Sequence, residues 1–342
     1  MWVRSEVIVF LLLSELVHRS SGAQREIRVL ESLTKLLSNR PSHLPWIPSI
    51  AYETVHKNEY QQRQANKDRL YENQVELVLA ELQTHLLGNK ESREFFLTAS
   101  VYGLPSSDNL KIYENFILSY DNRLKQPVWS LEHLTARHFR AQIATRGPKT
   151  IRFTPDRTLH EHFRSDYLDY KYSYYDRGQF APACDNRMKQ YLFDRSFLYS
   201  NVAPQAGCIN RKRCLWDRVE CYCAYLAWRT LNVYVVTGAL FKPYSLLRYK
   251  LIGFNRVAVP THFYKVILYE DSNGDMFMEA FAVPNSARIG PLERLEQFRI
   301  DIKEVSAIEK LTGLRFFNLL DRTEISKPTE LQFGFQERFC KV

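Results

Sequence analysis

The chain has 342 residues, of which 45% are apolar and 25% are charged. This composition is that of a globular protein, and it excludes a collagen-like, low-complexity or wholly disordered chain. Six cysteines are too few for a disulfide scaffold. The length predicts about two domains, or one large domain with an extension. The 47 Lys and Arg residues exceed the 38 Asp and Glu residues and give a net charge of +9.

Almost all of this positive charge lies in one middle segment, residues 137–218. The segment holds 16 Lys and Arg residues and 8 Asp and Glu residues, so it carries +8 of the +9. Such a concentration predicts a polyanionic partner, with nucleic acid first and an anionic membrane second. A solvated basic surface explains the charge equally well.

Residues 1–23 are predicted to be a targeting segment. The apolar run Val7–Leu13 is too short to span a bilayer. Arg4 before it and Ser21–Ala23 after it resemble a secretory signal with a small-residue cleavage site. Glu6 and Glu15 conflict with that interpretation and with a mitochondrial presequence, so the destination stays open. No later stretch is long enough to predict a transmembrane helix.

Residues 24–95 are predicted to form an N-terminal extension that is partly helical. No Gly or Pro occurs from Glu59 to Leu87, and apolar residues there recur with helical spacing until Gly88. We expect this helix to pack on the main domain. A helix that binds a partner is the less favoured alternative.

Residues 96–325 are predicted to form an α+β domain, followed by a tail over residues 326–342. Strands are expected in four apolar runs: Lys111–Tyr120, Pro127–Leu134, Asn232–Leu240 and Val257–Glu270. Asn273-Gly274 predicts a hairpin turn between Val266–Tyr269 and Met276–Val283. A long helix is expected over Trp216–Leu231. Ser306 and Glu309 predict a capping box for a short helix that ends at Gly313.

The most specific sequence signal is Tyr175–Ala183, which reads Tyr-Asp-Arg-Gly-Gln-Phe-Ala-Pro-Ala. Ser200–Gln205, read Ser-Asn-Val-Ala-Pro-Gln, follows it, and then Asn210, Trp216 and Glu220. This ordered set resembles the DNA/RNA non-specific endonucleases, and the endonuclease G group most closely. Further segments of about residues 100–322 resemble the same family: Val101–Pro105, Phe116–Asp121, Trp129, Glu132–Thr135, Val259–Phe263 and Pro284-Asn285.

The resemblance implies the ββα-metal (His-Me finger) nuclease fold, an α+β fold with a central antiparallel sheet flanked by helices. It also implies sequence-tolerant hydrolysis of phosphodiester bonds in DNA and RNA with one Mg²⁺ or Mn²⁺ ion. A homodimer and a mitochondrial location are implied as well. The signal-like N-terminus keeps secretion as an alternative.

The resemblance assigns roles to five residues of the predicted site. Arg177 and Arg164 match arginines that contact phosphate, a task suited to bidentate hydrogen bonds. Asn210 matches the asparagine that binds the metal ion. Glu220 matches the glutamate that orients metal-bound water, and Asn201 matches a polar residue beside the metal centre.

The sequence departs from the family pattern at three places. Gln179 occupies the position of the catalytic histidine, and an amide has no basic lone pair that takes a proton near neutral pH. Asn210 and Trp216 are six residues apart instead of four, and counting back four from Trp216 gives Lys212. Ala224 replaces an arginine one helical turn after the glutamate.

These departures predict an impaired nuclease, because losing a general base typically slows such reactions about 10²- to 10⁴-fold. The alternative is a catalytically inactive protein that binds nucleic acid or has a regulatory role, and a dimer with an active relative is a variant of this alternative. A further alternative is that His160, His162 or His262 serves as the base.

Cysteines and tyrosines near the motif leave further alternatives open. Cys208, Cys214, Cys221 and Cys223 fit no standard zinc spacing. A disulfide such as Cys208–Cys214 and free buried thiols are both compatible with the sequence. The tyrosines just before the motif would stack on bases or pack on the sheet; they are Tyr167, Tyr170, Tyr172, Tyr174 and Tyr175.

Overall fold

The computed structural model describes residues 90–141, 143–144, 153–242, 249–289, 293–300, 302–326 and 328. The chain divides into two units, residues 1–93 and 94–342. The predicted targeting segment, the helix predicted over residues 59–87 and almost all of the tail lie outside the described residues. No helix among the described residues is long and apolar enough to cross a membrane.

Seven α-helices are described, the longest of which is α6. They are α1 (Lys90–Ala99), α2 (Ala136–Arg140), α3 (Tyr167–Lys171), α4 (Gln190–Arg195), α5 (Gly207–Asn210), α6 (Leu215–Arg229) and α7 (Ile302–Thr312). Short 3₁₀ turns lie at Glu161–Phe163, Ala183–Asn186, Tyr199–Asn201, Leu295–Phe298 and Arg322–Glu324. Helix α6 confirms the long helix predicted from Trp216, with slightly earlier ends.

Twelve strands are described, and eight of them form one sheet. They are β1 (Leu110–Ile112), β2 (Ile117–Asp121), β3 (Gln126–Leu134), β4 (Tyr175–Gln179), β5 (Val202–Ala206), β6 (Asn232–Leu240), β7 (Leu251–Ile252), β8 (Val257–Ala258), β9 (His262–Glu270), β10 (Met276–Pro284), β11 (Arg299–Ile300) and β12 (Ile325–Ser326). The large sheet has the order β1-β2-β3-β6-β9-β10-β11, antiparallel throughout, and β12 pairs with β10 in parallel. The predicted α+β fold with a central antiparallel sheet is confirmed.

The hairpin predicted at Asn273-Gly274 is confirmed between β9 and β10. Its register pairs Glu270 with Met276. Gly274 has a φ of +86°, a backbone conformation that glycine adopts without the steric penalty of a Cβ atom. Asp271 fixes the turn, since its Oδ1 accepts hydrogen bonds from the backbone N–H groups of Asn273 and Asp275.

The main core lies between helix α6 and one face of the large sheet. Trp216, Val219 and Tyr222 of α6 are buried against side chains of β6, β9 and β10. Trp216 packs on Phe263 with ring centroids 5.6 Å apart, and Tyr222 packs edge-on against Phe281. This packing fixes the helix that carries Glu220 relative to the sheet.

Three predicted element boundaries are wrong, each for an identifiable reason. Lys111–Tyr120 is not one strand, because the chain turns between β1 and β2, where the N–H of Tyr113 donates to the Phe116 carbonyl. Val257–Glu270 divides at Pro260, which lacks the N–H that a ladder needs. Helix α7 starts at Ile302, so Ser306 lies inside it and is not its N-cap, and the Glu309 carboxylate accepts from Phe316 N and Arg322.

Candidate active site

Strands β4 and β5 form a separate two-stranded hairpin that carries the most specific motif. Arg177 is opposite Pro204, and Gln179 is opposite Val202. Gly178 is required here, because a Cβ atom at this position would lie 2.7 Å from the Cβ of Gln205. Helix α6 follows the hairpin along the chain. The β4–β5–α6 sequence of elements is therefore the ββα arrangement that the motif predicts.

Asn285 anchors the β4–β5 hairpin to the large sheet. Its Nδ2 donates to the carbonyls of Pro204 and Pro260, both at 2.9 Å, and its Oδ1 accepts from the N–H of Ala206. One side chain thus joins β5 to the segment before β9. The hairpin is held in place by hydrogen bonds as well as by packing.

A cavity of about 840 Å³ opens between the hairpin, α3 and α6. It brings together most of the residues that the motifs single out: Arg177, Gln179, Asn210, Lys212, Glu220 and Ala224. Lys171 and Arg187 add positive charge, and Asp176 and Asp217 add carboxylates. Arginines and lysines next to carboxylate oxygens suit a site for a phosphate group and a hard cation.

The Gln179 side chain is held in place by three hydrogen bonds. Its Nε2 donates to the Ser196 carbonyl at 2.7 Å and to the Ser196 Oγ at 3.2 Å. Its Oε1 accepts from the N–H of Ala183 at 3.2 Å. The amide is therefore engaged at both ends. It has neither the basicity nor the freedom to take a proton from an attacking water.

Asn210 is the last residue of α5 and lies beside Asp176 in the wall of the cavity. The Nδ2 of Asn210 donates to Asp176 Oδ2 at 3.4 Å, and the same oxygen accepts from Arg211 Nε at 3.3 Å. No described residue donates to the Oδ1 of Asn210. An amide oxygen is a suitable ligand for a hard divalent cation.

Glu220 lines the cavity from α6 and is half-buried. Burial raises the pKa of Glu220 to about 8; Lys265 opposes this effect, and the charges of Asp185 and Asp217 add to it. The carboxyl is therefore held mostly neutral at pH 7. A nearby cation would favour its ionised form.

Beneath Glu220 lies a buried charged cluster that the motifs do not reveal. Lys265 is fully buried, its Nζ donates to Thr237 Oγ1 at 2.6 Å, and it lies 5.4 Å from the centroid of the Trp216 ring. Burial disfavours its charge, yet Cys223 and the carboxyls around it raise the pKa of Lys265 above its ordinary value. Those carboxyls are Glu132, Asp185 and Glu220.

Burial, opposed by Lys265, raises the pKa of Asp185 to about 6. Burial also raises the pKa of Glu132 well above its ordinary value. A single cation thus balances three carboxyls that burial tends to neutralise. In the sequence, this cluster is indicated only by a single charged residue inside each of two apolar strands, Glu132 in β3 and Lys265 in β9.

Asn201 and Arg164 do not line the cavity. Asn201 is fully buried, its Oδ1 accepts from the N–H of Ala181, and its Nδ2 donates to the carbonyls of Ala181 and Ser196. Arg164 donates from Nε to the Leu159 carbonyl at 2.7 Å. Their predicted roles beside the metal and on phosphate stay predictions.

No histidine is among the described residues that line the cavity. His160 and His162 contact each other at a centroid distance of 4.9 Å around an exposed 3₁₀ turn. His262 lies at the start of β9, where its Nδ1 pairs with Thr261 Oγ1, and burial lowers its pKa. The structure brings none of these three imidazoles into the cavity.

The cysteines near the site are free, apart from Cys221. Cys208, Cys214 and Cys223 carry free thiols, so the alternative of a Cys208–Cys214 disulfide is not realised. Cys221 takes part in a disulfide. In the described part of the chain, no group of three or more His, Cys, Asp or Glu side chains is arranged to hold a metal ion by itself.

Comparisons with known proteins agree with this geometry. The chain is 35% identical to the mitochondrial endonuclease G of Caenorhabditis elegans over 263 residues, which cover 75% of this chain and 82% of that protein. It is 36% identical to human mitochondrial endonuclease G over 228 residues, 65% of this chain and 74% of the relative. Nuclease EXOG of Danio rerio is 36% identical over 234 residues, 66% of each chain.

A solved structure also matches, in a crystal described as the EndoG/EndoGI complex. It superposes with a TM-score of 0.62 and 34% identity, covering 68% of this chain and 95% of that one. The family model described as DNA/RNA non-specific endonuclease matches residues 96–323. With its ββα hairpin, its basic cavity and this match over two-thirds of its length, the chain belongs to the DNA/RNA non-specific endonuclease family.

Proposed function

We propose that this chain is an endonuclease G-like protein that binds DNA and RNA through the cavity and hydrolyses their phosphodiester bonds slowly. The observation that carries the proposal is the pair formed by Arg177 and Gln179. Arg177 lines the cavity with its guanidinium 4.7 Å from the centroid of the Phe153 ring. The amide of Gln179 takes the place of a base. The site thus retains a phosphate-binding group and lacks the proton acceptor.

The nucleases of this family depend on a divalent metal ion, and the cavity residues fit one. Asn210 would hold Mg²⁺ or Mn²⁺ through its Oδ1, and Glu220 would orient the water bound to it. The ion would screen the phosphate and stabilise the leaving oxygen. Millimolar Mg²⁺ or Mn²⁺ should therefore raise the melting temperature by mass action, and Asn210→Ala should abolish that rise. A wild-type protein indifferent to both ions would exclude the site.

A second candidate function is binding of nucleic acid without catalysis, and the position of Lys212 in the cavity favours it. Its side chain lines the same cavity as Asn210 and Glu220. An ammonium near these ligands would bind phosphate while competing with a divalent cation. The protein would then retain nucleic acid, alone or as a dimer with an active relative, without cleaving it.

Binding tests the element that both candidates share. The affinity for duplex DNA and RNA should show little sequence preference and should fall steeply with salt, because counterions are released. Arg177→Ala should weaken binding, whereas Arg123→Ala, in the exposed turn between β2 and β3, should leave it unchanged. Affinity that is absent at low salt or independent of salt would contradict the proposal.

Nicking of supercoiled plasmid separates the two candidates. Slow nicking that requires Mg²⁺ or Mn²⁺ and is lost in Arg177→Ala is the result expected for an impaired nuclease. No nicking above the level of Arg177→Ala, with binding intact, would favour the binding protein. Nicking at a rate typical of the family would contradict both.

The relatives also support two coarser proposals. Endonuclease G of C. elegans and of Homo sapiens is mitochondrial, so we infer a mitochondrial location here, which a fluorescent fusion of the full chain would test. Secretion through the signal-like N-terminus is the alternative outcome. A homodimer is inferred by resemblance alone and is tested by light scattering of the purified chain.

A further inference from the structure

Three tyrosines on helix α3 and in the turn after it, next to residues that line the cavity, expose their rings to solvent. Tyr167 on α3 is 52% exposed, and Tyr172 and Tyr174 in the following turn are 80% and 98% exposed. Helix α3, which carries Tyr167, has a defined start, because Asp166 caps it by accepting a hydrogen bond from Leu168 N. Large aromatic side chains contribute to folding only when they are buried. The rings of Tyr172 and Tyr174 therefore contribute little to stability, and Tyr167 keeps about half of its surface in water.

Tyr174 also has an unfavourable backbone conformation. Its φ is +65°, in the left-handed region where a Cβ atom clashes with the backbone and where glycine is the usual residue. The ring is almost fully exposed, so packing does not compensate for this cost. A bulky residue that is both strained and exposed points to a role outside the fold.

Two of the three rings, Tyr167 and Tyr172, are linked to the cavity through Lys171, and Tyr174 lies one residue from a lining residue. Lys171 Nζ lies 5.8 Å from the centroid of the Tyr167 ring and 5.0 Å from that of Tyr172, so one ammonium connects two rings. Tyr167 and Lys171 themselves line the cavity that contains Arg177. Tyr174 directly precedes Tyr175, which lines the same cavity.

Helix α3 is firmly held. Tyr170 of α3 is buried. The Asp169 carboxylate accepts hydrogen bonds from the backbone N–H and the Nδ2 of Asn255, at 2.8 and 2.9 Å. These contacts join α3 to the β7–β8 hairpin. The exposed rings are thus presented on a supported element, as a binding surface requires.

We propose that Tyr167, Tyr172 and Tyr174, which we call the tyrosine ledge, stack on unpaired bases of a nucleic-acid strand whose backbone enters the cavity at Arg177. This inference rests on the proposed function and adds the residues that would bind unpaired bases and so favour a single strand over a duplex. Aromatic rings next to cations bind single strands, because every unpaired base has an open face. In a duplex those faces are covered by neighbouring base pairs.

The test compares binding of a single strand with binding of a long blunt-ended duplex, in which nearly every base is paired and stacked. Fluorescence anisotropy at low salt would use wild type, Tyr172→Ala and Tyr174→Gly. The control Tyr191→Ala removes a tyrosine on α4 that is 41% exposed, has Lys189 Nζ 5.4 Å from its ring centroid and lies outside the cavity lining. Each ledge variant should weaken single-strand binding about 5- to 150-fold. Duplex binding should change less than about twofold by the same stacking logic.

The melting temperature of Tyr174→Gly separates a binding role of the Tyr174 ring from a role in supporting the fold. Because glycine adopts a positive φ freely, this variant should raise the melting temperature while it weakens single-strand binding. A lower melting temperature would show that the ring supports the fold and would overturn the ledge. Equal losses on single strand and duplex, or losses matched by Tyr191→Ala, would overturn it too. Failure of wild type to bind either nucleic acid would instead refute the proposed function.

Discussion

Replacing Glu220 with Gln should stabilise the protein, and the gain should grow with pH. In the folded state the pKa of Glu220 is raised from 4.5 to about 8, mainly by burial. A carboxyl with a raised pKa does not lower the free energy of unfolding below about pH 4.5, where it is protonated in both the folded and the unfolded state. The cost rises as pH increases towards 8, because the unfolded chain ionises and the folded chain does not. Glutamine has the same shape and does not titrate.

The size of the effect follows from the two pKa values. One pH unit corresponds to about 1.36 kcal/mol, so the cost is about 1 kcal/mol at pH 5, about 3 kcal/mol at pH 7 and about 4 kcal/mol at pH 8. These values are maxima, because solvent in the open cavity screens part of the charge. Glu220→Gln should recover most of the cost.

Urea unfolding of wild type and Glu220→Gln at pH 5, 7 and 8 measures this directly. Glu304→Gln, which changes an exposed glutamate on α7, is the matched control and should leave the free energy of unfolding unchanged. A Glu220→Gln variant less stable than wild type at pH 8 would refute the reasoning. A gain that is the same at all three pH values would refute it as well.

Two further substitutions test the elements that hold the site. Gly178→Ala should lower the free energy of unfolding by about 1–3 kcal/mol, because the new Cβ meets the Gln205 side chain. The control Gly207→Ala should lower it less, because its Cβ meets only the end of the Arg211 side chain. Equal losses of stability in thermal denaturation would contradict the prediction. Lys265→Met should destabilise by about 3 kcal/mol at pH 7, because it leaves the buried carboxylate of Asp185, whose pKa is about 6, without its cation. Urea unfolding should show a smaller loss at pH 5, where that carboxyl is mostly neutral, and a loss independent of pH would exclude this cause.

Local patterns predicted much of this fold. The Asn273-Gly274 turn predicted the β9–β10 hairpin, and the absence of Gly and Pro after Trp216 predicted α6. The turn between β1 and β2 was missed, because Glu114 and Asn115 interrupt the apolar run for only two residues without Gly or Pro, and the buried Asn115 at the tip hydrogen-bonds to Asn186, 71 residues away. Contacts of that range do not show in a local window.

The candidate site divides in the same way. Arg177, Gln179, Asn210 and Glu220 were identified because their motifs are contiguous or closely spaced, and all four line one cavity. The buried cluster around Lys265 was not identified, because its members come from β3, β9, α6 and a 3₁₀ turn, which only the fold brings together. Spacing alone also could not show that Gln179 is engaged at both ends of its amide.

We propose that a phosphate-binding cavity remains in this protein while its general base is missing at Gln179. The most direct test measures Mg²⁺-dependent nicking of supercoiled plasmid by wild type and by Gln179→His at equal concentration. We expect a wild-type rate at least about 10²-fold below that of a family member with the histidine, and a large gain in Gln179→His. Wild-type cleavage at the family's typical rate, lost in Arg177→Ala and unimproved by Gln179→His, would contradict it, because another group would then be acting as the base.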